Sequence, residues 1–124
     1  MANVAPTIIP NVTGDNSVMS IVWTPLTSAN TAGNAVAFPQ WRDRTVAITG
    51  TFDSCTVVLE GSLDGTNYFT LSDPQGNAIS KTAAALEAVS EMVRFVRPSV
   101  SSAGASTSIT VTLLAYRADG QRGR

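Results

Sequence analysis

The sequence predicts an all-β protein: an antiparallel β-sandwich or jelly-roll-like single domain with an extended N-terminal arm. Apolar and polar residues alternate over 55–60 and again over 107–116, which is typical of strands that bury one face. Between two extended runs stands Asp64-Gly65, a pair that favours a tight hairpin turn. The length of 124 residues is enough for one domain with its own core, without disulfides or metal ions.

Composition divides the chain into three parts. Residues 1–17 are expected to form the arm, because Pro6 and Pro10 block regular strand pairing. Residues 18–117 hold the strands of the sandwich, and residues 118–124 form a polar, glycine-containing tail. No linker inside 18–117 is long enough to separate two domains, so the sandwich is expected to be a single unit.

Within the sandwich, short extended runs are separated by turn residues. Pro25, Pro39 and Pro98 are each expected to end a strand. The run 82–91 fits either a short helix or an extended segment, and the extended segment is favoured because strands precede and follow it. The expected strands are 18–24, 35–38, 45–51, 55–61, 68–71, 93–97 and 107–117.

Alternation along these strands also assigns the core. Cys55 falls among the inward positions, so we expect a buried and unreactive thiol, and a single cysteine excludes an internal disulfide. The side chains expected to point inward are Met19, Ile21, Trp23, Val46, Ile48, Phe52, Cys55, Val57, Leu59, Ile109, Val111, Leu113 and Ala115.

The composition argues against catalysis and against a bound metal or cofactor. The chain has no histidine, which removes the usual general base and the commonest metal ligand. Asp64, Asn67 and Asp73 offer oxygen ligands for calcium, but turn geometry explains such loop residues equally well. We therefore expect no enzyme activity, no metal site and no cofactor.

Four aromatic residues are candidates for stacking on a sugar ring: Trp23, Trp41, Tyr68 and Tyr116. Trp23 alternates with apolar neighbours and is expected in the core. Trp41 lies among charged residues between two strands and is the best candidate for an exposed aromatic side chain. It could instead close the end of the sandwich.

The low charge of the chain bears on its partners. Charged residues make up 14% of the sequence and the formal net charge is −1. Nucleic-acid binding is not expected without a basic patch, and no apolar run is long enough to cross a membrane. A lightly charged surface favours association with other protein chains over a monomeric state. The N-terminal residues lack the features of a signal peptide, which predicts that the chain stays in, or assembles in, the cytoplasm.

The two chain ends are the candidate assembly interface. Ile8 and Ile9 stand in the arm without an alternating pattern, so the arm either folds back on its own sandwich or lies on a neighbouring subunit. Arg117, Arg122 and Arg124 are three of the eight cationic residues and lie at the other end. Trp41 completes the set expected at this interface.

A series of strands and turns runs through residues 59–71, the turn at 73–78, the strand at 93–98, and the Gly/Ser/Ala loop and apolar strand that follow. This series resembles small virion proteins of tailed bacteriophages. In particular, it looks like capsid decoration, or cement, proteins. The resemblance spans about residues 45–117 and rests on turns and strands. It implies a non-enzymatic protein on the outer surface of a virion, bound to the major capsid protein of the shell, assembled in the host cytoplasm, and present as a dimer or trimer.

Two other functions remain open. The Gly-Ser-x-Asp-Gly hairpin also occurs in carbohydrate-binding modules, so a carbohydrate-binding or tail-fibre module is the main alternative. It would require exposed aromatic residues on one face. A small hydrolase is the third possibility, and the missing histidine argues against it.

Overall fold

The computed structural model describes residues 3–9, 18–37 and 41–117, with only the backbone placed at 41, 42 and 117. Among the described residues the chain is built from strands and turns, without a helix. The strands are β1 (Thr7–Ile9), β2 (Val18–Leu26), β3 (Val36–Ala37), β4 (Trp41–Thr51), β5 (Thr56–Ser62), β6 (Phe69–Thr70), β7 (Ser80–Lys81), β8 (Ala85–Ala88), β9 (Phe95–Ser101) and β10 (Ser108–Arg117).

The strands form two antiparallel sheets that pack as a sandwich. Sheet 1 has the strand order β1-β2-β10-β4-β8. Sheet 2 has the order β3-β9-β5-β6, and β7 also pairs with β5. This architecture confirms the predicted all-β antiparallel fold. The described residues also contain no helix with the length and apolar character that a membrane crossing requires.

The core between the sheets confirms the alternation read from the sequence. Twelve of the thirteen side chains that were expected to point inward are buried, and Phe52 is partly buried against them. Trp23 is fully buried, and its indole Nε1 donates a hydrogen bond to the Asn34 carbonyl over 2.9 Å. The interior therefore consists mainly of aliphatic side chains from β2, β4, β5 and β10 around one large aromatic ring.

Two prolines do not end strands as expected. Strand β2 continues through Pro25 to Leu26, because Pro25 lies at a bulge where the register with β10 shifts. Pro98 lies in the middle of β9. Its carbonyl accepts from the Gly33 amide at 3.0 Å, so its nitrogen also points toward the 31–33 loop and away from β5. The missing N–H therefore costs the β5–β9 pairing nothing. Pro39 lies outside the described residues.

The connection between β5 and β6 is a hairpin, but it is wider than the predicted tight turn. Residues 63–68 separate the two strands, and Gly65 has the positive φ expected of it, at 77°. The Ser62 hydroxyl accepts hydrogen bonds from the amides of Asp64 and Gly65, which stabilises the wider loop. Residues 85–88 are extended, as favoured over a helix.

The described part of the N-terminal arm lies on its own sandwich. Strand β1 pairs with β2 along the edge of sheet 1, so the expectation that Pro6 and Pro10 block regular pairing is wrong for the three residues that follow Pro6. Val4 is also anchored, because its amide donates to the Ala32 carbonyl and its carbonyl accepts from the Asn34 amide. Residues 10–17 of the expected arm and the tail at 118–124 lie outside the described residues.

Candidate interaction surface

The outer surface of sheet 1 presents three rows of neutral side chains across neighbouring strands. Because strand residues alternate between the two faces, register partners of outward residues also point outward. We call these three rows the uncharged face. They are Thr7, Val22, Thr112, Ala47 and Leu86; then Ile9, Ser20, Leu114, Thr45 and Ala88; then Thr24, Thr110 and Thr49.

No residue of the uncharged face can ionise, although the face contains exposed apolar side chains. Leu86 is 70% exposed and Ile9 is 50% exposed, at opposite edges of the sheet. The Thr24 and Thr110 hydroxyls hydrogen-bond to each other over 2.7 Å. Asp43 is exposed at a bulge beyond the rows. A sheet surface of this composition is suited to contact with another protein.

Sheet 2 differs, because its outer surface carries an ion pair. Arg97 of β9 donates from Nε to the Glu60 carboxylate of β5 over 3.0 Å. The Arg97 guanidinium carbon also lies 3.7 Å from the centre of the Tyr68 ring. The three rows of the uncharged face therefore differ chemically from the outer surface of sheet 2, where the described side chains include paired charges.

The predicted assembly residues that are described all belong to sheet 1. Ile8 and Ile9 lie in β1; Ile9 is on the uncharged face, and Ile8 pairs with the inward-facing Ile21. Trp41 and Arg117 are register partners at the ends of β4 and β10. The side chains of Trp41 and Arg117 lie outside the described part, as do Arg122 and Arg124 entirely. Sequence analysis did not find the uncharged face, since it requires the register of five strands.

The aromatic candidates whose side chains the structure describes do not gather into one platform; the side chain of Trp41 is not among them. Trp23 is in the core, as expected, and Tyr68 lies beneath Arg97 on the sheet 2 side. Tyr116 is exposed near the end of β10 in sheet 1. The two described tyrosines are therefore on opposite sides of the sandwich.

Asp64 and Asp73, two of the calcium candidates, accept hydrogen bonds from residues of their own turns. The Asp64 carboxylate accepts hydrogen bonds from the Asn67 amide, the Thr66 amide, the Asn67 side chain and the Ser62 hydroxyl. These hydrogen bonds, given in decreasing order of their effect on the pKa, hold the pKa of the Asp64 carboxyl well below its usual value. Asp73 accepts from the amides of Gln75 and Asn77. In the described ranges, no group of three or more His, Cys, Asp or Glu side chains is placed to hold a metal ion.

Cys55 lies where the sequence predicted it, fully buried in the core. Burial raises the pKa of its thiol, which keeps the sulfur protonated and weakly nucleophilic at neutral pH. The side chain therefore packs as a small apolar group.

A buried arginine is the residue that sequence reasoning missed. Arg44 is one of the charged residues near Trp41, yet its side chain is almost fully buried between the sheets. It occupies an inward position two residues before Val46, so the alternation of β4 contained the signal. Burial lowers its pKa to about 10, which leaves it charged at neutral pH.

Comparisons with known proteins show a likeness of fold. No protein-family model and no curated protein matches the chain. Among solved structures, the SPBc2 prophage-derived protein YomS is similar with a TM-score of 0.58 and 15% identity, over 79% of this chain and 93% of that one. The K1 cleaved adhesin domain of Lys-gingipain from Porphyromonas gingivalis is similar with a TM-score of 0.43 and 14% identity, over 94% of this chain and 85% of that one. The chain thus shares the overall sandwich of YomS, whereas the second TM-score is too low to support any argument.

Proposed function

We propose that this chain is a structural virion protein of a bacteriophage that binds and stabilises the outer surface of the capsid. The observation that carries the proposal is the uncharged face of sheet 1, with exposed Leu86 and Ile9 and no ionisable group. The prophage origin of YomS, which has the same overall fold, supports a phage protein. The sequence resemblance to decoration proteins supports the capsid as the site of binding.

The physical properties of the face suit attachment to a protein shell. Burying neutral hydroxyl and aliphatic side chains avoids the large cost of desolvating unpaired charges. Strand pairing across all five strands makes the platform rigid, so little conformational entropy is lost on binding. The major capsid protein is the partner that the proposal assigns to this face.

The size of the face favours binding by several copies together. Five strands about 4.8 Å apart and three rows about 7 Å apart give a patch of roughly 400–500 Å². Buried against a partner, one such patch is at the low end of specific interfaces. A dimer or trimer would present two or three patches to a repeating shell, and avidity would then hold the oligomer.

The role proposed is non-catalytic. The chain has no histidine, and its one cysteine is buried with a raised thiol pKa. The alternative of a carbohydrate-binding or tail-fibre module is less well supported, because among the described aromatic side chains Tyr68 and Tyr116 lie on opposite sides of the sandwich and Trp23 is in the core.

Co-sedimentation with empty capsids of the phage that encodes the chain tests the proposal. We expect the chain to sediment with the capsids at a saturating copy number, and to remain bound as salt is raised, because a neutral contact is not screened. A chain that stays in the supernatant at saturating concentration would contradict the proposal. Release by moderate salt would mean that charged groups, and not the uncharged face, hold the chain.

A further inference from the structure

A pocket of about 440 Å³ opens at the edge of sheet 2, apart from the uncharged face. One wall is the β5–β6 hairpin, with Leu63, Phe69 and Leu71. The other is the segment that crosses from β8 to β9, with Glu91 and Val93. Its volume lies within the range of small binding sites, and no residue of the uncharged face lines it.

The rim of the pocket exposes two large apolar side chains. Leu63 is 72% exposed and Phe69 is 70% exposed, whereas Leu71 below them is buried. Phe69 is the register partner of Gly61, which has no side chain to cover the ring. An apolar group placed between Leu63 and Phe69 would remove both from water, which favours binding.

The open edge of β6 lies beside this pocket. Strand β6 is at the end of sheet 2, and the Leu71 amide donates to the Leu59 carbonyl on the β5 side. By the alternation of an antiparallel pair, the amide and carbonyl of Thr70 point the opposite way, toward the edge. At Ser72, the next residue with that orientation, the edge is already covered: its carbonyl accepts from the Ser90 amide over 2.8 Å. The edge of β6 is therefore covered at Ser72 but open at Thr70, beside the pocket, where an added strand could form main-chain hydrogen bonds.

The charges around the pocket are negative. Asp64 and Glu91 line it, and among the described residues of the lining there is neither lysine nor arginine. Glu91 accepts hydrogen bonds from the Ser72 amide and the Ser72 hydroxyl. Burial alone would raise the pKa of the Glu91 carboxyl, but these hydrogen bonds together hold it below the usual value. Both carboxylates are therefore ionised at neutral pH and attract a cationic side chain.

We propose that this pocket binds an extended segment of a partner protein, with an apolar side chain inserted between Leu63 and Phe69 and a lysine or arginine two residues away, on the same face of the segment. The backbone of the segment would pair with Thr70 at the edge of β6. Strand addition of this kind takes its affinity from main-chain hydrogen bonds and its specificity from the side-chain pocket. The proposal concerns a second site and does not depend on the role of the uncharged face.

The test is a titration of the isotopically labelled full chain with capped peptides, followed by amide chemical shifts. The probe is the pentapeptide Lys-Thr-Phe-Thr-Lys, in which both lysines lie on the same strand face as the phenylalanine, compared with Lys-Thr-Ala-Thr-Lys and Glu-Thr-Phe-Thr-Glu. We expect saturable shifts confined to residues 61–71 and 90–93. The alanine peptide should bind about tenfold more weakly or worse, because it cannot fill the pocket. The glutamate peptide should also bind more weakly, because the carboxylates repel it.

Variants identify the site. Phe69→Ser and Leu63→Ser should each weaken binding of the first peptide, whereas Leu86→Ser removes an equally exposed apolar side chain from sheet 1 and should leave binding unchanged. Equal binding of the phenylalanine and alanine peptides, shifts centred on sheet 1, or no saturation at millimolar peptide would overturn the proposal. Concentration-dependent shifts at 61–71 without peptide would also overturn it, because a second copy of the chain would then be the occupant.

Discussion

The guanidinium of Arg44 donates a hydrogen bond from Nη1 to the main-chain carbonyl of Val93 over 2.9 Å. Arg44 lies on β4 of sheet 1, and Val93 lies on the segment that crosses to sheet 2. The Val89 amide donates to the Arg44 carbonyl over 2.9 Å, so the same residue holds the crossing segment at two points. A buried charge therefore positions the segment that forms one wall of the pocket.

Arg44→Met should lower the free energy of unfolding by about 1–3 kcal/mol, because the Val93 carbonyl loses a charged donor within a buried site. Denaturant unfolding measures the change. Arg94→Met is the matched control: Arg94 is exposed and lies 5.0 Å from the centre of the Phe95 ring, so its loss should cost less than about 1 kcal/mol. Equal effects of the two substitutions would show that Arg44 does not hold the crossing segment.

Val111→Asp should unfold the domain, because it places an unpaired carboxylate in a fully buried position of β10. Circular dichroism and solubility report the outcome. Thr112→Asp, one residue along on the outward side of the same strand, should remain folded. A soluble and folded Val111→Asp protein would mean that the inward face of β10 has been assigned incorrectly.

Asp64→Asn should destabilise the protein in a way that depends on pH. Hydrogen bonds hold the folded-state pKa of Asp64 below its ordinary value of 3.8, so the unfolded chain takes up the proton first. The stability that the carboxylate contributes is therefore full above about pH 4 and is lost as the pH falls through the folded-state pKa. Thermal unfolding of both proteins should differ at neutral pH and converge in strong acid. A difference that does not vary with pH would rule out this carboxylate as the cause.

Cys55→Ser should leave capsid binding intact and lower stability by about 1–3 kcal/mol, the cost of burying an imperfectly paired hydroxyl. A thiol-reactive probe should label the wild-type protein slowly under native conditions and rapidly after unfolding. Rapid labelling of the native protein, with loss of capsid binding, would contradict a purely structural role for this thiol.

The inward side of the fold could be predicted from the sequence, because alternation is a local pattern. Met19, Ile21 and Trp23 follow it, as do the inward residues of β10. Pro98 was misjudged, since only the neighbouring loop shows that its nitrogen faces away from β5. The depth of Arg44 was missed because a charged residue at an inward position looks like a surface residue in the sequence.

The outward side was harder to predict, because it depends on register between strands that are distant in the chain. Thr112 and Leu114 look like ordinary exposed residues of one strand. Their place in a neutral surface appears only when β10 is seen between β2 and β4. Ile9 likewise acquires a role only when β1 is placed at the edge of sheet 1.

The central claim is that the uncharged face binds the capsid, and one charge inserted into its middle tests this most directly. Thr112→Lys places an ammonium group between Val22 and Ala47, where binding would bury it without a partner. Val58→Lys makes the same kind of change on the outer surface of sheet 2, opposite Ser99. With both variants shown to be folded, co-sedimentation with empty capsids should show strongly reduced occupancy for Thr112→Lys and wild-type occupancy for Val58→Lys. Wild-type occupancy of Thr112→Lys would contradict the account.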